Sequence, residues 1–193
     1  MKKLFPLAVA AALLLPAAPV LAAPGVPAPR ILVLNRAAIL QLSKVGKDVA
    51  RQVQAYGNQA KAQLAGQAKA LQAEGQQLQQ QIAILAPDVK KQKIAAFQAK
   101  QDALQGEAQR REAAIQGGLM KAQQTIEQTL GPILQNIMQQ RGANMILDKN
   151  AVVFANSTAF DITPEAIAQL DQKLSSLKVT LVQPPAGASG AGR

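Results

Sequence analysis

A chain with no cysteine and no histidine has few groups with which to do covalent chemistry. Thiol nucleophiles, imidazole bases and the usual zinc ligands are excluded together. Gly46-Lys47 is the nearest approach to a phosphate loop, and it lacks both the upstream glycine and the following Ser or Thr. The 11 acidic residues are scattered, so paired carboxylates for acid–base work or a metal are not expected. Serines without a His or an evident Lys partner make poor nucleophiles. Asn156-Ser157-Thr158 matches a glycosylation acceptor, a pattern too short to carry an argument. These residue types describe a binding protein without a cofactor rather than an enzyme.

Charge and apolar surface remain as the means of binding. Residues 36–141 hold 14 Lys and Arg against 7 Asp and Glu, whereas residues 142–193 hold four of each. The excess therefore lies on one segment, where it suits anionic lipid, acidic protein or nucleic acid. The apolar candidates on the same segment are Leu64, Leu71, Leu78, Ile82, Leu85 and Phe97. They are expected either to touch a bound partner or to fill the seam between two helices.

Export decides among those partners. Residues 1–22 begin with Lys2 and Lys3, continue through an apolar run from Leu4 to Leu15, and end in Val20-Leu21-Ala22, the layout of a cleaved signal peptide. An uncleaved anchor is the alternative, but Pro6, Pro16 and Pro19 interrupt a run already short of the ~20 residues a spanning helix needs. Removing this segment leaves 19 basic residues against 11 acidic ones, a net charge of +8. An exported chain is not expected to meet nucleic acid.

The elements that must position these residues follow from periodicity. Ile31 to Asn35 is an apolar run of strand length directly after the breakers Pro24 to Pro29. From Ala37 to Leu85 there is no proline, and Leu42, Val45, Val49, Val53 and Tyr56 recur at steps of three or four. Leu64, Leu71, Leu78 and Leu85 then recur at steps of seven, which keeps one seam toward a partner helix. Ala86-Pro87-Asp88 breaks the helix, and the pattern resumes from Val89 through Ile94, Phe97, Leu104, Ile115, Ile126, Ile133 and Ile137 to a stop at Arg141-Gly142. Pro132 is a candidate kink.

Two runs of about 50 residues folded at Pro87 make an antiparallel hairpin about 70–80 Å long at 1.5 Å per residue. Such a hairpin returns Met145 to Leu147 beside Ile31 to Asn35; a kinked rod or two separate helices would not. Gly57, Gly66, Gly75, Gly106, Gly117 and Gly118 weaken the arms by ~1 kcal/mol each relative to Ala, and mark either a bendable arm or simple drift.

At the far end, Met145-Ile146-Leu147, Asp148-Lys149-Asn150 and Ala151-Val152-Val153-Phe154 read as strand, tight turn and strand. Ala155 to Asp161 is a loop. Thr163-Pro164-Glu165 reads as a helix start with Thr163 as N-cap, and the helix should bury Ile167, Leu170 and Leu174. Residues 177–193 read as a disordered tail, within which Lys178-Val179-Thr180-Leu181-Val182 is a weak edge-strand candidate. Three short strands with 3% aromatic residues in the whole chain form too little sheet to stand alone, so oligomerisation through the sheet is expected.

Ile31-Leu32-Val33-Leu34-Asn35, Ser43-Lys44-Val45-Gly46-Lys47, the run from Met145 to Asn156 and Asp161-Ile162-Thr163 resemble the Skp (OmpH-like) family of periplasmic chaperones. The resemblance covers about residues 30–175; its specific part is the two ends, and the arms match in length and composition. It implies an α+β fold, a long coiled-coil hairpin arm over 36–141 with its tip near 86–88, on a β body over 30–35 and 142–176 that ends in a short helix. It further implies a homotrimer with a barrel-like core built on Ile31, Val33, Met145, Leu147, Val152 and Phe154. The function implied is ATP-independent holding of unfolded outer-membrane proteins in a periplasmic cavity between the arms. Contact of the basic arms with an anionic membrane surface is also expected. A structural coiled-coil envelope protein that binds lipid or peptidoglycan is the alternative, and a histone-like DNA binder is a third reading, from charge alone.

Overall fold

The computed structural model describes residues 28–154 and 157–183. The expected signal segment, Ala155 and Asn156 of the loop, and residues 184–193 of the expected tail lie outside them. Ile31–Leu34 form strand β1, Arg36–Leu42 helix α1, Lys44–Gln81 helix α2, Pro87–Arg141 helix α3, Met145–Asp148 strand β2 and Thr163–Lys173 helix α4. The class is α+β, with long helices and a small two-stranded sheet.

The N-terminal half of the hairpin is two helices rather than one. Ser43 takes an extended conformation, ends α1 and caps α2 by accepting a hydrogen bond from Gly46 N–H. A capping serine satisfies one of the donors that a helix start leaves free, which makes a sharp corner possible without loss of backbone bonding. Gly46 completes the corner, because a Cβ there would lie 1.9 Å from the carbonyl oxygen of Leu40. The expected continuous helix from Ala37 is therefore corrected, and the two long helices are unequal: α2 has 38 residues and α3 has 55. At 1.5 Å per residue these span ~57 and ~82 Å.

The tip falls between Gln81 and Pro87. Proline at the start of α3 has no N–H to satisfy and a preset φ, so it begins the return helix well. Inside α3, Pro132 removes one backbone bond, yet the helix continues because Leu130 and Ile133 beside it are buried. Gly142 closes α3 at φ 60°, a left-handed conformation that favours glycine.

Beyond Gly142 the chain reverses, and β2 runs parallel to β1 with Ile31 opposite Met145, Leu32 opposite Ile146, Val33 opposite Leu147 and Leu34 opposite Asp148. Asn144 sets this register. Its Oδ1 accepts from Arg30 N–H at 2.9 Å, its own N–H donates to Arg30 O at 3.0 Å, and its Nδ2 donates to Ala28 O at 3.0 Å.

The expected hairpin after β2 does not form. Asp148 does make its turn, accepting from Asn150 N–H at 2.9 Å, but Lys149–Ala151 coil into a 3-10 turn and Val152 to Phe154 have no strand partner among the described residues. A two-residue hairpin of the favoured type needs positive φ at both central positions, which is why Asn-Gly is preferred; Asn150 is followed by Ala151, and no non-glycine residue here has positive φ. Asp161 instead bridges to Val33 on the outer side of β1.

Thr163 is not the cap expected of it. Ile162 holds the N-cap position, and the Thr163 hydroxyl accepts from Asn35 N–H at 2.8 Å, tying α4 to the end of β1. The buried face of α4 is Ile162, Ala166 and Leu170, with the expected Ile167 and Leu174 only half-buried beside it. The core gathers Leu32, Leu34, Ile39, Val45, Val49, Ile126, Leu130, Ile133 and Ile137 with this face. At about 1.5–3 kcal/mol for each fully buried Ile, Leu or Val side chain, it anchors the arm to the body.

Candidate functional site

The arm and the body divide the surface by burial. From Ala50 to Ala113 no residue is buried, so everything distal to the base of the arm is a two-helix layer with water on most sides. Leu64, Leu71, Leu78, Ile82, Leu85 and Phe97 are all half-buried on it. Leu64 and Leu71 lie with Leu104 and Ala108 along an open apolar depression between α2 and α3. Phe97 crosses the seam onto Gly75, where a Cβ would sit 2.9 Å from its ring. Gly75 is thus a packing residue for Phe97, whereas Gly57 and Gly66 face open space.

Ionic contacts stitch the same layer from outside. Lys100 Nζ lies 2.5 Å from Glu74 Oε1, Lys93 donates to Gln81 at 3.3 Å, and Arg111 donates to Gln63 across the seam. Arg111 also donates to Glu107, and that hydrogen bond holds the Glu107 carboxyl below the usual carboxylate range. Surface pairs of this kind are screened by water and contribute little to stability. Lys90, Lys91 and Lys93 stand exposed just past the tip.

The six body residues singled out from the sequence come together. Ile31 pairs with Met145, and Val33 pairs with Leu147. Val33, Val152 and Phe154 line a shallow groove with Val153, Phe160, Lys149 and Asp161. Its apolar rim is open to water: Val153 is 102% exposed and Phe154 is 84% exposed. Val153 and Phe160 were not singled out by sequence reasoning, because a strand assignment for 151–154 and a loop assignment for 155–161 hide which side chains the turns throw outward.

At the polar edge of the groove, Asp161 is ordered by Thr163 N–H at 2.9 Å and by Lys149 Nζ at 3.0 Å. Partial burial pushes its carboxyl up, and the bonds from Thr163 and Lys149 outweigh this and hold it below its ordinary value. No group of three or more acidic side chains among the described residues is placed to hold a metal ion.

Residues 177–183, assigned in the sequence to a disordered tail, are extended and packed on the arm. Val179 is buried at 1% exposure within the core, and Val182 N–H donates to Ala114 O at 3.1 Å. The available signal was the pair Gly117-Gly118: a Cβ at Gly118 would lie 2.8 Å from Thr180 O, so this glycine marks close backbone approach rather than a bend.

A basic two-helix arm, standing on a small parallel-stranded body with an uncovered apolar rim, defines a chain built for binding. A family model described as outer membrane protein (OmpH-like) matches residues 30–170. The chain belongs to this OmpH-like family, a family of chaperones. No curated protein matches it. Among solved structures it is similar to a proposed outer membrane chaperone (OmpH-like) from Caulobacter crescentus CB15, with 28% identity and a TM-score of 0.74, over 83% of this chain and 95% of that one.

Proposed function

We propose that this chain is an ATP-independent periplasmic holdase which, as a homotrimer, binds unfolded outer-membrane proteins between its arms and keeps them from aggregating. The observation that carries this reading is the unburied arm. Its apolar residues from Leu64 to Phe97 stay half-exposed in the single chain, and the body presents Val153, Phe154 and Phe160 to water. Apolar rims of that kind are usually covered by other copies, and a closed three-fold arrangement through Ile31, Val33, Met145, Leu147, Val152 and Phe154 leaves the arms surrounding a cavity.

The arm's excess of 14 basic over 7 acidic residues draws an acidic client at long range, and dispersed half-exposed leucines hold it loosely at contact. Family membership supports the chaperone role, and the layout of residues 1–22 supports the compartment. Light scattering tests the proposal: a urea-diluted outer-membrane protein should stay soluble at a threefold excess of trimer without nucleotide. Unchanged aggregation, or a monomeric mass for the purified mature protein, refutes it. The exposed lysines at the tip favour a second mode, contact with an anionic membrane surface, which vesicle pull-down that falls with salt would report.

A further inference from the structure

The packed segment after α4 lies beyond the family match, which ends at residue 170. From Leu177 to Gln183 it forms a strap that bridges α2 and α3 at the base of the arm. Leu177 N–H donates to Asp48 Oδ2 at 3.3 Å, and Gln52 Nε2 donates to Leu177 O at 2.8 Å. Gln52 Oε1 accepts from Val179 N–H at 2.9 Å, and Tyr56 O–H donates to Val179 O at 3.2 Å. On the other wall Val182 N–H donates to Ala114 O.

Every one of these bonds ends on a main-chain atom of the strap. Only Val179 is buried and Leu177 half-buried; Lys178, Thr180, Leu181, Val182 and Gln183 are exposed. Gly118 and Gly117 leave room for backbone, since a Cβ at Gly118 would lie 2.8 Å from Thr180 O and one at Gly117 would lie 3.3 Å from Val182 O. A groove that grips main chain through the side chains of Asp48, Gln52 and Tyr56, and reads one small β-branched anchor, selects for extension rather than for sequence.

We propose that this groove is a binding site for an extended segment of non-native polypeptide, and that the strap is its resident occupant in the resting chain. Tethering gives the strap a millimolar-range effective concentration, so an incoming segment binds by exchange and the site stays closed to weak ligands. The exchange rests on the holdase reading only for the source of the incoming chain.

The probe is a fluorescent synthetic peptide of residues 175–183, titrated by anisotropy into the full-length chain. Val179→Asp places a carboxylate at the buried anchor and should release the strap, tightening peptide binding at least about tenfold over wild type. Adding Gly118→Val, which fills the groove, should abolish that gain. A Val179→Asp chain that binds the peptide no better than wild type, or a Gly118→Val background that keeps the gain, overturns the proposal. Amide hydrogen exchange on isotope-labelled wild type with excess unlabelled peptide needs no variant: the Leu177, Val179 and Val182 amides should lose protection, and unchanged protection refutes exchange. Suppressed client aggregation without peptide binding sinks only this site, and peptide binding without suppressed aggregation sinks only the holdase.

Discussion

The corner at Ser43-Gly46 allows one substitution to be predicted with opposite signs at two places. In Gly46→Ala the new Cβ falls 1.9 Å from Leu40 O, and contacts under 3.0 Å essentially never occur, so α1 and α2 must separate by at least 1.1 Å. The obstructing atom is backbone, so no side-chain rotation relieves it. Separation loosens Ile39 and Val45, exposed at 1% and 0%, from the core that anchors the arm. Overpacking costs about 1–3 kcal/mol, and the upper end applies where helices rather than side chains must move. Gly57→Ala is the control: it also lies inside α2, but its Cβ meets nothing within 4 Å, so lower unfolded-chain entropy and better helix propensity should stabilise by about 0.5–1 kcal/mol. Urea unfolding at fixed protein concentration, followed by far-ultraviolet circular dichroism, reads both. Equal shifts of the same sign, or a Gly46→Ala loss under about 0.5 kcal/mol, would refute the corner as the reason for this glycine.

Ile133→Ala empties a fully buried position on α3 and should destabilise by about 2–5 kcal/mol in the same urea assay. Phe154→Glu should lower the mass measured by light scattering toward that of a single chain while leaving helical circular dichroism intact, because Phe154 is 84% exposed and contributes little to the fold of one copy. Asp161 makes stability acid-sensitive. Its folded pKa lies below the unfolded one, so its contribution is complete above the ordinary carboxylate value of about 3.9 and is lost as pH falls through the lower folded value. Asp161→Asn should flatten that part of the acid limb of the Tm profile, and an unchanged limb would show that the bonds from Thr163 and Lys149 do not matter.

Most of the architecture was legible because it is written in local patterns. Seven-residue leucine spacing, Pro87 at the tip and Gly142 at the stop locate the hairpin, and a hairpin must return residue 145 beside residue 31. The corner at Ser43 was hidden, since a buried serine that caps a helix reads in sequence like any serine within one, and Gly46 looks like ordinary weakening until Leu40 is seen against it. The same ambiguity covered Gly75 beneath Phe97.

The second strand after Asp148 failed for a different reason. Asp148 does turn onto Asn150, but Ala151 stands where the favoured two-residue hairpin turn takes glycine, so 152–154 do not fold back on β2, whose partner is β1, 114 residues away and parallel. Ile31, Val33, Met145 and Leu147 nevertheless pair as two rungs of the sheet, because alternation along β1 and β2 is local even when their pairing is not.

By itself, then, the sequence determined the helices, the tip, the excess of positive charge and the family, all set by periodicity and composition along the chain. Only the tertiary structure decided the path of residues 177–183. Composition there predicts a disordered tail with at most an edge strand at 178–182, and no strand forms, yet Gln52, Tyr56 and a Gly117-Gly118 floor lie within reach and satisfy its backbone groups. Order in such a segment depends on donors and acceptors far along the chain, on Gln52 and Tyr56 more than a hundred positions away and on Ala114, and no short window contains them.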